Sequence, residues 1–226
     1  MRYGLWAPLC KLFSGAALVL LVVTAPLPAQ AEEDELTIVA LGDSLTAGYL
    51  LGPDEGFVEQ LDRALDAAGH ENVKVVNAGV SGDTSSGGLA RLDWAVGPEA
   101  DAVILELGAN DALRAIDPAL TRKNLTEIVA QLKERDLPIL LAGMYAPPNL
   151  GRDYGEAFNS IYPDLAEEEG LLLYPFFLEG VAGDRTLNLG DGIHPTAEGV
   201  GVIVEGIMPR VEDLIAEARA RDTETE

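Results

Sequence analysis

The chain has 226 residues, 48% of them hydrophobic and 23% charged, which is ample for one globular core and marginal for two. Its 15 basic and 38 acidic residues leave a net charge of −23. That balance argues against nucleic acid and anionic membrane surfaces as partners, because the phosphate term would be repulsive, and it disfavours highly anionic substrates.

Arg2 and Lys11 form a basic n-region, Ser14–Thr24 an apolar h-region, and Ala29-Gln30-Ala31 a small-x-small cleavage site just before Glu32-Glu33-Asp34-Glu35. This is the layout of a secretory signal peptide over residues 1–31. A membrane anchor is the weaker reading, since the apolar run is short of about 18–20 residues. Cleavage after Ala31 leaves a periplasmic or secreted domain over residues 32–226, with no stable membrane insertion. It removes Cys10, the sole cysteine, together with Arg2 and Lys11, so 13 basic residues face 38 acidic ones. No thiol is left for a disulfide, a nucleophile or a thiolate metal site. Clusters such as Glu167-Glu168-Glu169 read as solvated faces, and the acidic tail from about residue 219 as a candidate for disorder. A salt-adapted surface is the sharper expectation from the same excess.

After residue 35 the pattern alternates short apolar runs with helical periodicity. The strands are expected over Leu36–Leu41, Val73–Asn77, Ala102–Leu107, Ile139–Gly143 and Leu171–Tyr174. None alternates strictly, as befits strands covered on both faces. Helices are expected over Phe57–Ala68, Ser85–Val96, Ala119–Arg135, Gly155–Glu169 and Thr196–Ala218, with Gly and Pro at nearly every junction. Five β-runs separated by helices predict one α/β domain, a parallel sheet in three α/β/α layers.

Such sheets place their functional crevice at the carboxyl ends of the strands. Those ends read Gly42-Asp43-Ser44, Asn77 to Asp83, Gly108-Ala109-Asn110-Asp111 and Tyr145-Ala146-Pro147-Pro148-Asn149. Turn chemistry explains any one of them; the set matches what acyl transfer needs. Ser44 stands where a buried strand turns sharply into a helix, which suits a nucleophile, although a simple helix cap uses the same residue type. A serine needs a base, and the chain has two histidines, His70 and His194. His70 follows a helix end, a place for a surface or helix-terminal charge. His194 lies in Asp191-Gly192-Ile193-His194-Pro195, where Asp191 reaches one ring nitrogen and leaves the other to face Ser44. A turn before a helix start is the plainer reading of that motif. Candidate oxyanion donors are the N–H of Ser44, the N–H of Gly82 and the side-chain amide of Asn110, each with a turn or cap as its bland alternative. Asp43, Leu45, Asp111, Leu113, Tyr145 and Pro147 are the candidate substrate-binding residues. Two histidines, no mature cysteine and no Asp-rich calcium loop give no metal site, and no cofactor is expected.

The blocks GDSLTAGY (42–49), NAGVSGDTS (77–85), LGANDALR (107–114) and DGIHP (191–195) resemble, in that order, those of the SGNH (GDSL) hydrolase family. The likeness is to its bacterial thioesterase I/arylesterase/lysophospholipase branch, which Tyr154–Leu165 and Tyr174–Leu178 also resemble. The resemblance implies a flavodoxin-like fold with a five-stranded parallel sheet. It implies Ser44 as nucleophile, His194 as base, Asp191 as its orienter, and Ser44, Gly82 and Asn110 as the oxyanion hole. The implied activity is a serine esterase acting on carboxylic esters or thioesters, short- or medium-chain acyl or aryl, with lysophospholipids as further candidates. Ala109 and Ala112 stand where relatives often have glycine, so the loop Leu113–Pro118 is expected to be stiffer. Two alternatives come from other functions of such a crevice, an exported carbohydrate O-acetyl esterase and a non-catalytic small-ligand binding protein. Against the first, no tryptophan platform lines the rim, Trp94 being expected in the core. The partner is then a small-molecule ester, and a monomer is the default expectation.

Overall fold

The computed structural model describes residues 35–225 and, ahead of them, residues 1, 3 and 4, with side chains as far as Arg221. All but those three residues of the leader expected over 1–31 therefore lie outside the described residues. The five apolar runs form strands β1 (Leu36–Gly42), β2 (Val73–Gly79), β3 (Ala102–Glu106), β4 (Ile139–Ala142) and β5 (Leu172–Tyr174). They build one sheet in the order β2-β1-β3-β4-β5, every neighbouring pair parallel. Strands β3 and β4 are buried at every residue, which is why their sequences lack a polar face.

The helices are α1 (Ser44–Ala47), α2 (Phe57–Ala68), α3 (Ser85–Ala90), α4 (Leu92–Ala95), α5 (Ala109–Leu113), α6 (Pro118–Lys133), α7 (Arg152–Asn159), α8 (Ile161–Glu169) and α9 (Ala197–Thr225). Helix α2 packs against α9 in one layer, and α6 packs against α3 and α8 in another. This is the flavodoxin-like three-layer fold, whose order reverses between β1 and β3. Ser44 and Asn110 follow those two strands, so the topology itself brings them together. Local chemistry agrees with tertiary demand in α6: Pro118 takes the first turn, and the Asp117 carboxylate caps the N–H of Ala119. No helix among the described residues is long and apolar enough to cross a membrane.

Three expectations about the elements need correction. The helix expected over Ser85–Val96 breaks at Arg91, whose side chain turns inward to bond Asp83 (2.6 Å) and the carbonyl of Gly42 (2.8 Å). With the chain turned there, Leu92 takes the inward place on α4, and Trp94 is 72% exposed rather than in the core. The helix expected over Gly155–Glu169 is two, α7 and α8, because Pro163 is tolerated only in a first turn. Helix α9 runs past the expected end at Ala218 to Thr225. Arg219 donates to Asn72 and Arg221 to the carbonyl of Asp136, tying that end to the body of the domain.

Candidate active site

Strand β1 ends at Gly42, and α1 starts two residues later, so Asp43 and Ser44 sit on a sharp bend. A Cβ on Gly42 would fall on the hydroxyl of Thr46 and 2.6 Å from Oε2 of Glu106. Glycine is needed there because α1 turns back over the end of β3. Asp43 caps α1, its Oδ1 accepting from the N–H of Leu45 at 3.0 Å. Ser44 is the first residue of the helix, where N–H groups have no intrahelical acceptor.

The second component arrives from the loop before α9. Asp191 accepts from the N–H groups of Ile193 and His194 with one oxygen, and its other oxygen lies 2.7 Å from Nδ1 of His194. Those two N–H groups and the imidazole hold the Asp191 carboxyl down at about 2. Nε2 of His194 lies 2.9 Å from Oγ of Ser44, across 150 residues of sequence. The expected hydroxyl, imidazole and carboxylate are thus in one chain of hydrogen bonds. His70 lies elsewhere, beyond α2 and before the amino end of β2.

Asn110, on α5, donates from its amide to Oδ2 of Asp43 at 2.9 Å, and it lines the cavity beside Ser44. Gly82 has the positive φ of 83° that favours glycine, and its carbonyl accepts from Arg114 at 2.7 Å. It stands on the loop beyond β2, outside the cavity wall. The cavity encloses about 470 Å³ in front of Ser44 and His194. Leu45, Leu113, Tyr145 and Pro147 line it, joined by Met144, Phe176, Leu178 and Ile193, which sequence reasoning did not single out. Phe176 stacks on Tyr145 at 4.5 Å between ring centroids.

Asp43 and Asp111, expected at the substrate, do not line the cavity. Both are fully buried. Asp43 lies behind the serine, and burial raises its carboxyl to about 6. Asp111 ties three segments together, accepting from the N–H and hydroxyl of Ser85 and from the hydroxyl of Thr121. Short polar side chains just past strand ends serve the loops as often as the ligand. Sequence reasoning also passed over Glu106. Its Oε2 accepts from the N–H of Asp43 (3.2 Å) and the hydroxyl of Thr46 (2.8 Å), while Oε1 has no partner among the described residues. Burial, then the neighbouring Asp43 charge, push its carboxyl well above the usual range. The signal was available: an acidic residue inside the run Ala102–Leu107.

A serine, an imidazole and a carboxylate in series at the switch point of a parallel sheet define a class, the α/β/α serine hydrolases. Within it, the model of the GDSL-like lipase/acylhydrolase family matches residues 40–202, and the chain belongs to that family. Esterase TesA of Pseudomonas aeruginosa is 39% identical over 180 residues, 79% of this chain and 89% of that protein. The Escherichia coli K12 protein named thioesterase 1/protease 1/lysophospholipase L1 is 37% identical over 180 residues, 79% of this chain and 85% of its own. The crystal structure of AlinE4, an SGNH-hydrolase family esterase, superposes with a TM-score of 0.68 at 44% identity, covering 81% of this chain and 98% of that one. The chain is a serine esterase, a carboxylic ester hydrolase.

Proposed function

We propose that the chain hydrolyses neutral carboxylic esters with short or medium acyl chains or aryl groups, through an acyl-enzyme on Ser44. The observation that carries this is the relay from Asp191 through His194 to Ser44, opening onto an apolar cavity. Nε2 of His194 takes the hydroxyl proton while Oγ of Ser44 attacks the ester carbonyl. The oxyanion is held by the N–H of Ser44 and the Asn110 amide, both from residues that line the cavity, with the N–H of Gly82 on the neighbouring loop as the third candidate donor. Collapse returns the proton to the leaving alcohol and leaves the acyl group on Ser44. Water, deprotonated by the same imidazole, then releases the acid.

Substrate class follows from the wall. Among the described lining residues none is Lys, Arg, Asp or Glu, and leucine, methionine, proline and aromatic side chains predominate. A wall of that kind desolvates an acyl chain or aryl ring and offers nothing to pair with a phosphate. The E. coli relative's name brings thioesters and lysophospholipids into the candidate set; the wall and the net charge of −23 favour neutral esters. An O-acetylated sugar is less well served, because beyond Ser44 and His194 the polar side chains of the wall are those of Asn110, Asn188 and Tyr145 and the rest is apolar or glycine. The leader over residues 1–31 supports export before the enzyme acts. Hydrolysis of p-nitrophenyl butyrate tests the assignment: Ser44→Ala and His194→Ala each lower the rate by at least about 10³-fold. Wild-type turnover in Ser44→Ala would end it.

A further inference from the structure

His194 presents two ring nitrogens and two faces. Asp191 and Ser44 take the nitrogens. The ring of Tyr49 lies against the imidazole, 4.6 Å away between centroids with the planes tilted at 43°. The turn that closes α1 puts the ring there. Gly48 adopts φ 74°, and the N–H of Tyr49 donates to the carbonyl of Ser44 at 3.1 Å. The residue that covers the imidazole is thereby fastened to the residue that the other edge of the imidazole touches. Tyr49 is 41% exposed, so it is no core residue, and it is not part of the cavity wall.

The face of an aromatic ring is the negative end of its quadrupole and attracts a cation more strongly than a neutral group. In the proposed reaction His194 becomes an imidazolium when it takes the proton of Ser44. A contact that strengthens as charge develops lowers the barrier without tightening substrate binding. Packing alone would hold the ring in place equally well in both states. The two roles therefore separate by experiment.

We propose that Tyr49 is a positioning residue for His194, its ring face fixing the imidazole against Ser44 and stabilising the imidazolium that forms during attack. The inference rests on the assignment of Ser44 and His194 as nucleophile and base. The test is p-nitrophenyl butyrate kinetics for the wild type, Tyr49→Phe and Tyr49→Leu. Leucine keeps apolar bulk and removes the π-face; phenylalanine keeps the face and removes the hydroxyl. Tyr49→Leu lowers kcat about 5- to 30-fold, the span expected between partly and well desolvated cation–π contacts, with KM within about twofold. Tyr49→Phe stays within about twofold of wild type in both constants. A leucine variant with wild-type kcat overturns the inference. So does a change confined to KM, which would make Tyr49 a substrate wall, or a phenylalanine variant as slow as the leucine one, which would make the hydroxyl responsible. Thermal melts accompany the kinetics, and Tyr49→Met replaces the leucine variant should that one melt early. A wild type that neither turns over the ester nor reacts with a fluorophosphonate overturns the hydrolase reading itself; an active, labelled wild type with an unimpaired leucine variant overturns this inference alone.

Discussion

Asp43→Asn should separate activity from stability. The carboxylate of Asp43 offers one oxygen to the N–H of Leu45 and the other to the amide of Asn110, at 3.0 and 2.9 Å. An amide in its place offers one acceptor, so in either orientation its NH₂ confronts a donor. The bond lost orients Asn110. A hydrogen bond to a charged group is worth about 1.5–3 kcal/mol, which if spent on orientation corresponds to roughly 10- to 100-fold in kcat. Stability moves the other way. Burial raises the Asp43 carboxyl from 3.8 to about 6, so the folded protein binds that proton more tightly than the unfolded chain. The stability this gives is complete below pH 3.8 and is lost as pH rises to about 6, amounting to about 3 kcal/mol. Asp43→Asn has no such loss, and at pH 7.5 the gain roughly offsets the missing bond. Urea unfolding from pH 4 to 7 should show the variant gaining about 2–2.5 kcal/mol on wild type. Ester kinetics at pH 7.5 should show the loss in kcat, and little further loss when Asn110→Ala is already present. A variant with kcat within twofold of wild type, or one whose inactivity tracks unfolding, refutes the reasoning.

Asn110→Ala should itself lower kcat on the order of 10²–10³-fold while far-UV circular dichroism and KM stay near wild type. Asp191→Asn should cost roughly 10²–10⁴-fold in kcat, because the amide no longer fixes the imidazole tautomer. Since its own bonds hold Asp191 at about 2, any stability it lends is present above pH 3.8 and fades only as pH falls towards 2. Asp191 should therefore add no inflection to the pH–rate profile between pH 4 and 8. Glu106→Gln keeps shape and an acceptor for Thr46, and should melt within a few degrees of wild type, whereas Glu106→Ala should lose about 2–4 kcal/mol in urea titrations by leaving the Asp43 N–H and the Thr46 hydroxyl unpaired over a cavity.

The sheet was legible because buried parallel strands have a simple signature. Apart from Glu106, the run Ala102–Leu107 is apolar without alternation, and its length, its β-branched residues and its flanking glycine suit a strand covered on both faces. The helix break at Arg91 was not legible, since it depends on partners from other segments, whereas the break at Ser160 follows from Pro163, a local signal that the sequence reading passed over. Arg91 turns inward only because Asp83 and the Gly42 carbonyl await it. Trp94 goes outward as a consequence, against every expectation from its hydrophobicity. The hydroxyl, imidazole and carboxylate could be read because each sits just past a strand or just before a helix. The same rule misplaced Asp43 and Asp111, which have the right positions and types yet point into the protein.

What lies beneath the serine was hidden for a different reason. Glu106 is visible in the sequence as an acid in an apolar run, but its partners come from residues 60 and 63 positions earlier. The register of β1 on β3 sets Gly42 beside Glu106, and the Glu106 side chain then occupies the volume that a Cβ on Gly42 would need. Glycine at 42 and glutamate at 106 thus answer one geometric requirement. The carboxyl receives the N–H of Asp43 and the hydroxyl of Thr46, so it braces both sides of the bend that carries Ser44. Two buried carboxyls behind one serine are destabilising by their desolvation, and an apolar pair of equal volume would fold at least as well. No apolar pair could accept from the Leu45 N–H, the Asn110 amide and the Thr46 hydroxyl at once. Their presence is explained by the bend they hold rather than by any stability they lend.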